Sequence, residues 1–249
     1  MIAVTDLVKQ YGSFTAVDGV TLDVQPGQIH GFLGPNGAGK TTTIRMIAGL
    51  LKPTAGRIEV NGHDLAAEPE AAKASLGFIP DRPFIYEKLT AGEFLRFHGG
   101  LYGLDAGAVD GRATEMLDLF ELERWRDELV ESFSHGMKQR LVMSAAFMHR
   151  PRAVLVDEPM VGLDPRGARL IKDVFRRMAD RGVAILMSTH TLEVAQEMCD
   201  RVSIILKGRI IASGTVDEVR RMAGDADEQL TAVFLKLTGG SALQELEEL

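Results

Sequence analysis

Residues 28–42 read Gln-Ile-His-Gly-Phe-Leu-Gly-Pro-Asn-Gly-Ala-Gly-Lys-Thr-Thr, which is a short apolar run, a glycine-rich loop and the start of a helical pattern. The segment matches G-x-x-x-x-G-K-[ST], the pattern of a loop whose backbone N–H groups point at phosphate oxygens. Glycine permits the backbone conformations and the close approach that this arrangement needs. We therefore predict a phosphate site formed by Gly34, Pro35, Asn36, Gly37, Ala38, Gly39, Lys40, Thr41 and Thr42.

Two side chains and the start of a helix adapt this loop to bind a negatively charged phosphate with Mg²⁺. Lys40 supplies a positive charge for the β- and γ-phosphates of a nucleotide, and Thr41 supplies a hydroxyl ligand for Mg²⁺. The helix that begins here points the positive end of its dipole at the anion.

A pair of carboxylates follows a second apolar run. Residues Ala153–Val156 form a strand pattern that ends at Asp157 and Glu158. We predict that Asp157 holds Mg²⁺ and that Glu158 polarises or deprotonates the attacking water. An acidic strand end alone is ordinary, and it is the phosphate loop upstream that favours the catalytic interpretation.

Short β-branched runs alternate with helical stretches along the chain, which predicts an α/β fold around a mainly parallel sheet. Runs at 2–8, 20–24 and 57–60 are separated by turns with little helix between them, which indicates an antiparallel β subdomain. From Thr90 to about Arg124 the apolar spacing is helical, which predicts a helical subdomain. Buried parallel strands are then predicted at Ala153–Val156, Val183–Met187 and Val202–Leu206.

The composition excludes several classes of protein. The 249 residues include 28 Lys and Arg against 35 Asp and Glu, a net charge of −7. Residues 217–249 hold eight acids against three bases, so the rest of the chain is near neutral and lacks the basic surface expected for nucleic acid. The single cysteine, Cys199, cannot form an intrachain disulfide, and no apolar run approaches the roughly 20 residues of a membrane span. We expect a chain of the cytosol, with no secretory signal and no nucleic-acid partner.

The segment Phe133-Ser134-His135-Gly136-Met137-Lys138-Gln139-Arg140 resembles the signature of ATP-binding-cassette (ABC) transporters, usually Leu-Ser-Gly-Gly-Gln. Ser134 lies 94 residues after Lys40, and the resemblance extends over residues 2–215. It implies a P-loop NTPase core that hydrolyses ATP with Mg²⁺ and powers a membrane transporter. It also implies head-to-tail pairing with a second copy or a homologous ATPase chain, in which Ser134 and Gly136 reach the γ-phosphate held by the partner. Ser134 is a candidate cap for a helix predicted over Lys138–His149.

The same resemblance assigns roles to four more residues. Tyr11 lies where an aromatic residue stacks on adenine, although a tyrosine before a glycine is by itself more typical of turn packing. Asp164, in Gly162-Leu163-Asp164-Pro165, is expected to communicate between two sites, and His190 to contact the γ-phosphate and orient the water. Asp81 replaces the usual glutamine, and an aspartate can bind Mg²⁺ but cannot donate a hydrogen bond. The predicted metal ligands are thus Thr41, Asp157 and Asp81.

His135 and Met137 depart from the usual signature and resemble the exporter branch, which serves drugs, natural products and polysaccharides. The resemblance therefore implies a multi-span membrane permease as partner, with this chain at the cytoplasmic face of the cell membrane. A groove near residues 81–102 would receive the permease, with candidate lining residues Phe84, Ile85, Tyr86, Phe94 and Phe97. Helical spacing equally allows Phe94 and Phe97 to be core residues of the helical subdomain.

We divide the chain into a nucleotide-binding domain at 1–220, with the helical subdomain inserted at about 89–148, and an acidic tail at 221–249. The tail is interpreted as a docking, regulatory or solvating segment, with the last as the default. The strongest rival function is that of a soluble ABC-type ATPase in a non-membrane assembly such as iron–sulfur cluster assembly. A P-loop kinase or GTPase is disfavoured because the chain has no Asn-Lys-x-Asp guanine motif.

Overall fold

A computed structural model describes residues 1–81, 84–160, 162–222 and 234 of the chain. The described part contains ten β-strands and eight α-helices. The strands are β1 (Ile2–Tyr11), β2 (Phe14–Val24), β3 (Ile29–Leu33), β4 (Ala55–Val60), β5 (His63–Asp64), β6 (Leu76–Ile79), β7 (Ala153–Asp157), β8 (Ala184–Thr189), β9 (Arg201–Leu206) and β10 (Arg209–Gly214). The helices are α1 (Lys40–Ile47), α2 (Pro69–Ala74), α3 (Ala91–Leu101), α4 (Ala106–Leu119), α5 (His135–Ala146), α6 (Pro165–Asp180), α7 (Leu192–Met198) and α8 (Val216–Met222).

The larger sheet has six strands in the order β10-β9-β3-β8-β7-β6, and its members from β9 to β6 are parallel. Every residue of β3, β7 and β8 is buried, as continuous apolar runs predict for strands covered on both faces. Leu33 pairs with Thr189, and Asp157 pairs with Ser188. The carboxyl ends of β3, β7 and β8 therefore meet at one edge of the sheet.

The smaller sheet is antiparallel, in the order β2-β1-β4-β5. Strands β1 and β2 are longer than the predicted runs at 2–8 and 20–24 because their pairing continues as far as Tyr11↔Phe14, and β4 begins two residues before the predicted run at 57–60. Buried side chains of β1 and β2 share an apolar core with Phe32 of β3 and with Ile44 and Ile47 of α1. This packing fixes the smaller, antiparallel sheet against α1, the helix that follows the phosphate loop.

The segment between β6 and β7 is helical, as predicted. Helix α3 begins in a capping box, in which Thr90 Oγ1 accepts from the Glu93 N–H and the Glu93 carboxylate accepts from the Thr90 N–H. Phe94 is 1% exposed and lies in the core, so its prediction as a groove residue is wrong, whereas Phe97 is 42% exposed. The helix predicted over Lys138–His149 is also misplaced, because α5 begins at His135 and ends at Ala146.

The predicted acidic tail, 221–249, lies outside the described residues except for Arg221, Met222 and Phe234. Phe234 is buried with Ala212 of β10 and Val219 of α8. Within the residues that the structure describes, no helix is both long and apolar enough to cross a bilayer.

Candidate active site

A cavity of about 390 Å³ opens at the carboxyl edge of the parallel sheet. Four separate segments of the chain line it: the β1–β2 hairpin, the loop and helix start after β3, the residue two positions after β6, and the end of β7. The lining residues are Tyr11, Phe14, Ala16, Asn36, Gly37, Gly39, Lys40, Thr41, Thr42, Asp81, Asp157 and Glu158. Ligand sites of parallel α/β sheets lie at this edge.

The loop before α1 has a backbone path that requires glycine at two positions. A Cβ atom on Gly34 would lie 2.4 Å from the carbonyl oxygen of Ile205. Gly39 has a φ of +109°, and a Cβ atom there would lie 2.7 Å from the carbonyl oxygen of Ala16. Within the described chain, the predicted loop residues Gly34, Pro35 and Ala38 lie outside the cavity lining. The loop is thus held against β9 and β2 while its other residues face the cavity.

Lys40 is the buried cation of the site. Its Nζ donates to the carbonyl oxygens of Gly34, at 2.6 Å, and Pro35, at 3.1 Å. Burial lowers the pKa of Lys40, and the carboxylates of Glu158 and Asp157 act in the opposite direction. The ammonium group is held in place by two carbonyl oxygens of its own loop, and the two nearby carboxylates favour its charged form. A positioned positive charge of this kind suits a polyanionic ligand.

The oxygen donors around Lys40 are of the kind that Mg²⁺ prefers. Asp157 is buried at the end of β7 and accepts a hydrogen bond from Ser188 Oγ. Thr41 and Asp81 are both exposed and line the same cavity. Mg²⁺ is usually held by one or two protein oxygens together with phosphate oxygens and water, so this donor set fits that ion beside a bound nucleotide.

Glu158 adopts a constrained backbone next to Asp157. Its φ is +52°, which is uncommon for a residue other than glycine. The Glu158 N–H donates to the carbonyl oxygen of Ser188 at 3.2 Å, and the carboxylate Oε1 lies 2.9 Å from Nδ1 of His190. The Glu158 side chain is 15% exposed and that of His190 is 57% exposed. The two predicted catalytic residues therefore form one contact pair, with His190 on the solvent side.

Ser134, Gly136 and Asp164 lie elsewhere. Ser134 caps α5 by accepting from the Met137 N–H at 3.3 Å, and Asp164 caps α6 by accepting from the Gly167 N–H at 2.8 Å. In the part of the chain that the structure describes, these three residues do not line the cavity. One copy of the chain therefore assembles the phosphate loop and the carboxylates but leaves the signature segment apart from them.

Sequence reasoning missed three residues of the site. Phe14 lies opposite Tyr11 in the hairpin and shares the cavity wall with it and with Ala16. Ser188 holds both Asp157 and the Glu158 backbone. The turn signal at Gly12 and the alternation of the flanking residues predict the hairpin partner of Tyr11, whereas no local signal marks Ser188.

Residues 17–161 match the family described as ABC transporter. The chain belongs to the ABC transporter family. It is 39% identical over 232 residues to the linearmycin resistance ATP-binding protein LnrL of Bacillus subtilis (strain 168), which is 93% of this chain and 75% of that protein. It is 40% identical over 223 residues to the daunorubicin resistance ATP-binding protein DrrA3 of Streptomyces coeruleorubidus, which is 90% of this chain and 71% of that protein.

A solved structure of an ATP-binding subunit of an ABC transporter has a TM-score of 0.90 and 36% identity to this ABC cassette, and the match covers 96% of this chain and 99% of that one. The predicted α/β fold with an antiparallel and a helical subdomain is thereby confirmed. The chain is an ATP-binding, ATP-hydrolysing transporter subunit, and the rival prediction of an ATPase in a non-membrane assembly is not supported.

Proposed function

We propose that two copies of this ABC subunit, or one copy and a homologous ATPase chain, close head to tail around two ATP molecules. The observation that carries this proposal is the separation of the signature segment from the cavity within one chain. Ser134 and Gly136 lie at the solvent-exposed start of α5, where free N–H groups and the helix dipole favour an anion. A second copy supplies the γ-phosphate that this helix end lacks in its own chain.

The first half of each site binds the nucleotide. The loop from Gly34 to Thr42 holds the phosphates through backbone N–H groups, and Lys40 exchanges its two carbonyl partners for phosphate oxygens. The half-exposed ring of Tyr11 stacks on the adenine. Thr41, Asp157 and Asp81 are the residues that would hold Mg²⁺. The ion supplies charge neutralisation for the β- and γ-phosphates.

The second half of the chemistry belongs to the Glu158–His190 pair. Glu158 Oε1 accepts a proton from, or polarises, the water that attacks the γ-phosphate. His190 holds this carboxylate through Nδ1 and contacts the γ-phosphate from the solvent side. Asp164, at the start of α6, communicates between the two sites of the dimer.

The permease binds to an aromatic patch formed by Phe84, Tyr86 and Phe97. Phe84 is 88% exposed, and the rings of Phe84 and Tyr86 meet edge to face with centroids 6.1 Å apart. Tyr86 meets Phe97 in the same way at 5.3 Å. The patch follows Asp81, a lining residue of the nucleotide cavity, in the sequence. A movement of this segment on closure around ATP is therefore transmitted to the surface where the permease binds.

The partner is a multi-span membrane protein, and the ATPase works at the cytoplasmic face of the cell membrane. Two relatives are resistance proteins by name, one for linearmycin and one for daunorubicin. Their names support export of a drug or antibiotic as the function of this transporter.

Glu158→Gln tests the dimer. The variant keeps the shape of the side chain but loses the base, so ATP should bind, turnover should fall at least about a hundredfold, and an ATP-dependent dimer should accumulate in size-exclusion chromatography. Unchanged hydrolysis would reject Glu158 as the base, and a monomer at saturating ATP and Mg²⁺ would reject the dimer.

Co-purification from membranes tests the permease. The double variant Phe84→Ala, Tyr86→Ala should lose a multi-span protein that the unaltered chain retains, while its ATP affinity stays unchanged. Leu50→Ala is the matched control, since Leu50 is equally a large exposed apolar residue but lies after α1. Equal recovery of the membrane protein with all three chains would reject the patch.

A further inference from the structure

The ring of His135 packs directly over the α-carbon of Gly162. A Cβ atom on Gly162 would lie 2.2 Å from Cδ2 and 2.6 Å from Nε2 of this imidazole. Gly162 also has a φ of +76°, which disfavours any side chain there. The imidazole therefore occupies the space that a side chain at position 162 would fill. The contact joins two segments that are 27 residues apart in the sequence.

The two contacting residues lie in segments that the proposed dimer uses at different ATP sites. His135 is the first residue of α5 and follows Ser134, which the proposed dimer presents to the ATP of the other copy. Gly162 lies between Glu158, the proposed base for the copy's own ATP, and Asp164, the cap of α6. Gly136 approaches the same segment, since a Cβ atom on it would lie 3.6 Å from the Gly162 carbonyl oxygen and 3.7 Å from Leu163 Cδ2. The start of α5 thus rests on the segment that leads away from the base.

We infer that His135 is a positioning residue that couples the two ATP sites of the dimer. This inference rests on the proposed head-to-tail function. When the γ-phosphate bound by one copy draws in the start of α5 of the other, the exposed imidazole moves with the helix, and because the ring lies directly against Gly162 its displacement is passed to the 162–164 segment. Glu158 of that second copy is repositioned at its own ATP. Occupancy of one site therefore alters catalysis at the other, and the contact between the His135 ring and Gly162 transmits the coupling.

A double-mutant cycle tests the contact. The four full-length chains are the unaltered protein, His135→Gly, Gly162→Ala and the double variant. An alanine at 162 displaces the imidazole only when the imidazole is present, whereas its backbone strain is the same in both backgrounds and cancels in the cycle. We expect Gly162→Ala to lower kcat about tenfold or more in the unaltered background and at least about fivefold less when His135 is already glycine.

Cooperativity supplies the readout that a purely structural role would not change. The Hill coefficient of ATP hydrolysis should fall from near 2 toward 1 in His135→Gly, as expected when two coupled sites become independent, while the KM for ATP changes less than about threefold. His135→Phe restores a flat ring on Gly162 and should recover the Hill coefficient. His63→Gly is the matched control, because His63 is an imidazole that pairs with Glu68 away from the cavity, and it should change neither quantity.

The outcomes separate this inference from the proposed function. Thermal unfolding of each variant reports whether it folds, and His135→Ala repeats the cycle should the glycine variant unfold. If the Glu158→Gln chain forms an ATP-dependent dimer but the His135 and Gly162 effects are additive, or if the Hill coefficient is the same in His135→Gly, the coupling role is overturned and the dimer stands. If no ATP-dependent dimer forms in any background, both are overturned.

Discussion

Nδ1 of His190 lies 2.9 Å from Oε1 of Glu158, although 32 residues separate them in the chain. The contact exists because β7 and β8 are parallel neighbours in register, with Asp157 opposite Ser188. Ser188 accepts from the Glu158 N–H and fixes the backbone at its positive φ. The sheet thus aims one carboxylate at the cavity and holds it with one imidazole.

Removing the imidazole should slow catalysis without abolishing nucleotide binding. In His190→Ala the Glu158 carboxylate loses its partner and the γ-phosphate loses a contact, so kcat should fall about 100- to 1,000-fold while ATP affinity changes little. Steady-state hydrolysis and nucleotide titration measure the two quantities. His63→Ala should leave both unchanged, and a His190→Ala chain of full activity would refute the assigned role.

Removing the buried ammonium group should abolish nucleotide binding. Lys40→Ala deletes the cation that faces the phosphates and leaves the carbonyl oxygens of Gly34 and Pro35 without their donor. Isothermal titration calorimetry should show ATP affinity reduced at least about a hundredfold, in line with the loss of a charge-assisted contact to phosphate. Lys52→Ala, an exposed lysine beyond α1, is the control. Normal ATP affinity in Lys40→Ala would contradict the phosphate-loop prediction.

Stacking on adenine predicts a ring requirement at position 11. Tyr11→Ala should weaken ATP binding about tenfold, a typical value for the loss of one base–aromatic stack, whereas Tyr11→Phe should bind as the unaltered chain does. GTP and ATP affinities are measured in parallel. A ring that only stacks should lose affinity for both nucleotides to a similar extent in Tyr11→Ala, because every base has a π-face. If Phe14→Ala, rather than Tyr11→Ala, gives the loss, the base lies against Phe14, the other exposed ring of the hairpin.

A buried histidine predicts acid sensitivity of the fold. His30 donates to or accepts from Ser203 Oγ at 2.8 Å, and burial lowers its pKa from 6.5 to about 4, with the nearby positive charge of Arg201 acting in the same direction. Below pH 6.5 the unfolded chain binds a proton at this residue that the folded chain does not, so the free energy of unfolding falls as the pH drops toward 4. The loss attributable to His30 is about 3 kcal/mol at most.

Urea unfolding between pH 7.5 and 4.5 measures this loss. His30→Gln keeps a polar group near Ser203 and has no titration in that range, so its unfolding free energy should decline less steeply than that of the unaltered chain. Parallel pH profiles for the two chains would show that His30 does not contribute.

Sequence reasoning performed best where contacts are local. The phosphate loop, its helix and the apolar strand before Asp157 were predicted from patterns that span a few residues, and the structure has each of them. It was less successful at the start of α5, where the predicted helix begins at Lys138 but the helix itself begins at His135 and includes Gly136, a poor helix former. The Ser134 cap and packing of the first turn against Gly162 and Leu163 extend the helix through them.

The aromatic residues of α3 show a second limit. Phe94 and Phe97 are both compatible with helical spacing as core or groove residues, and only their neighbours separate them: Phe94 packs among the buried residues of α4 and α5, while Phe97 meets the exposed Tyr86. The burial of a side chain depends on which helix covers it, and that information is spread over distant segments.

The identity of the chain as an ABC subunit resides in short motifs, because a phosphate cradle is built from consecutive backbone groups and a glycine is needed wherever that path closes on its neighbours. The meeting of Glu158 with His190, of Ser188 with Asp157 and of His135 with Gly162 follows instead from strand order and helix packing. Such contacts join residues tens of positions apart, so their distances depend on how the whole sheet and its helices assemble rather than on any local pattern.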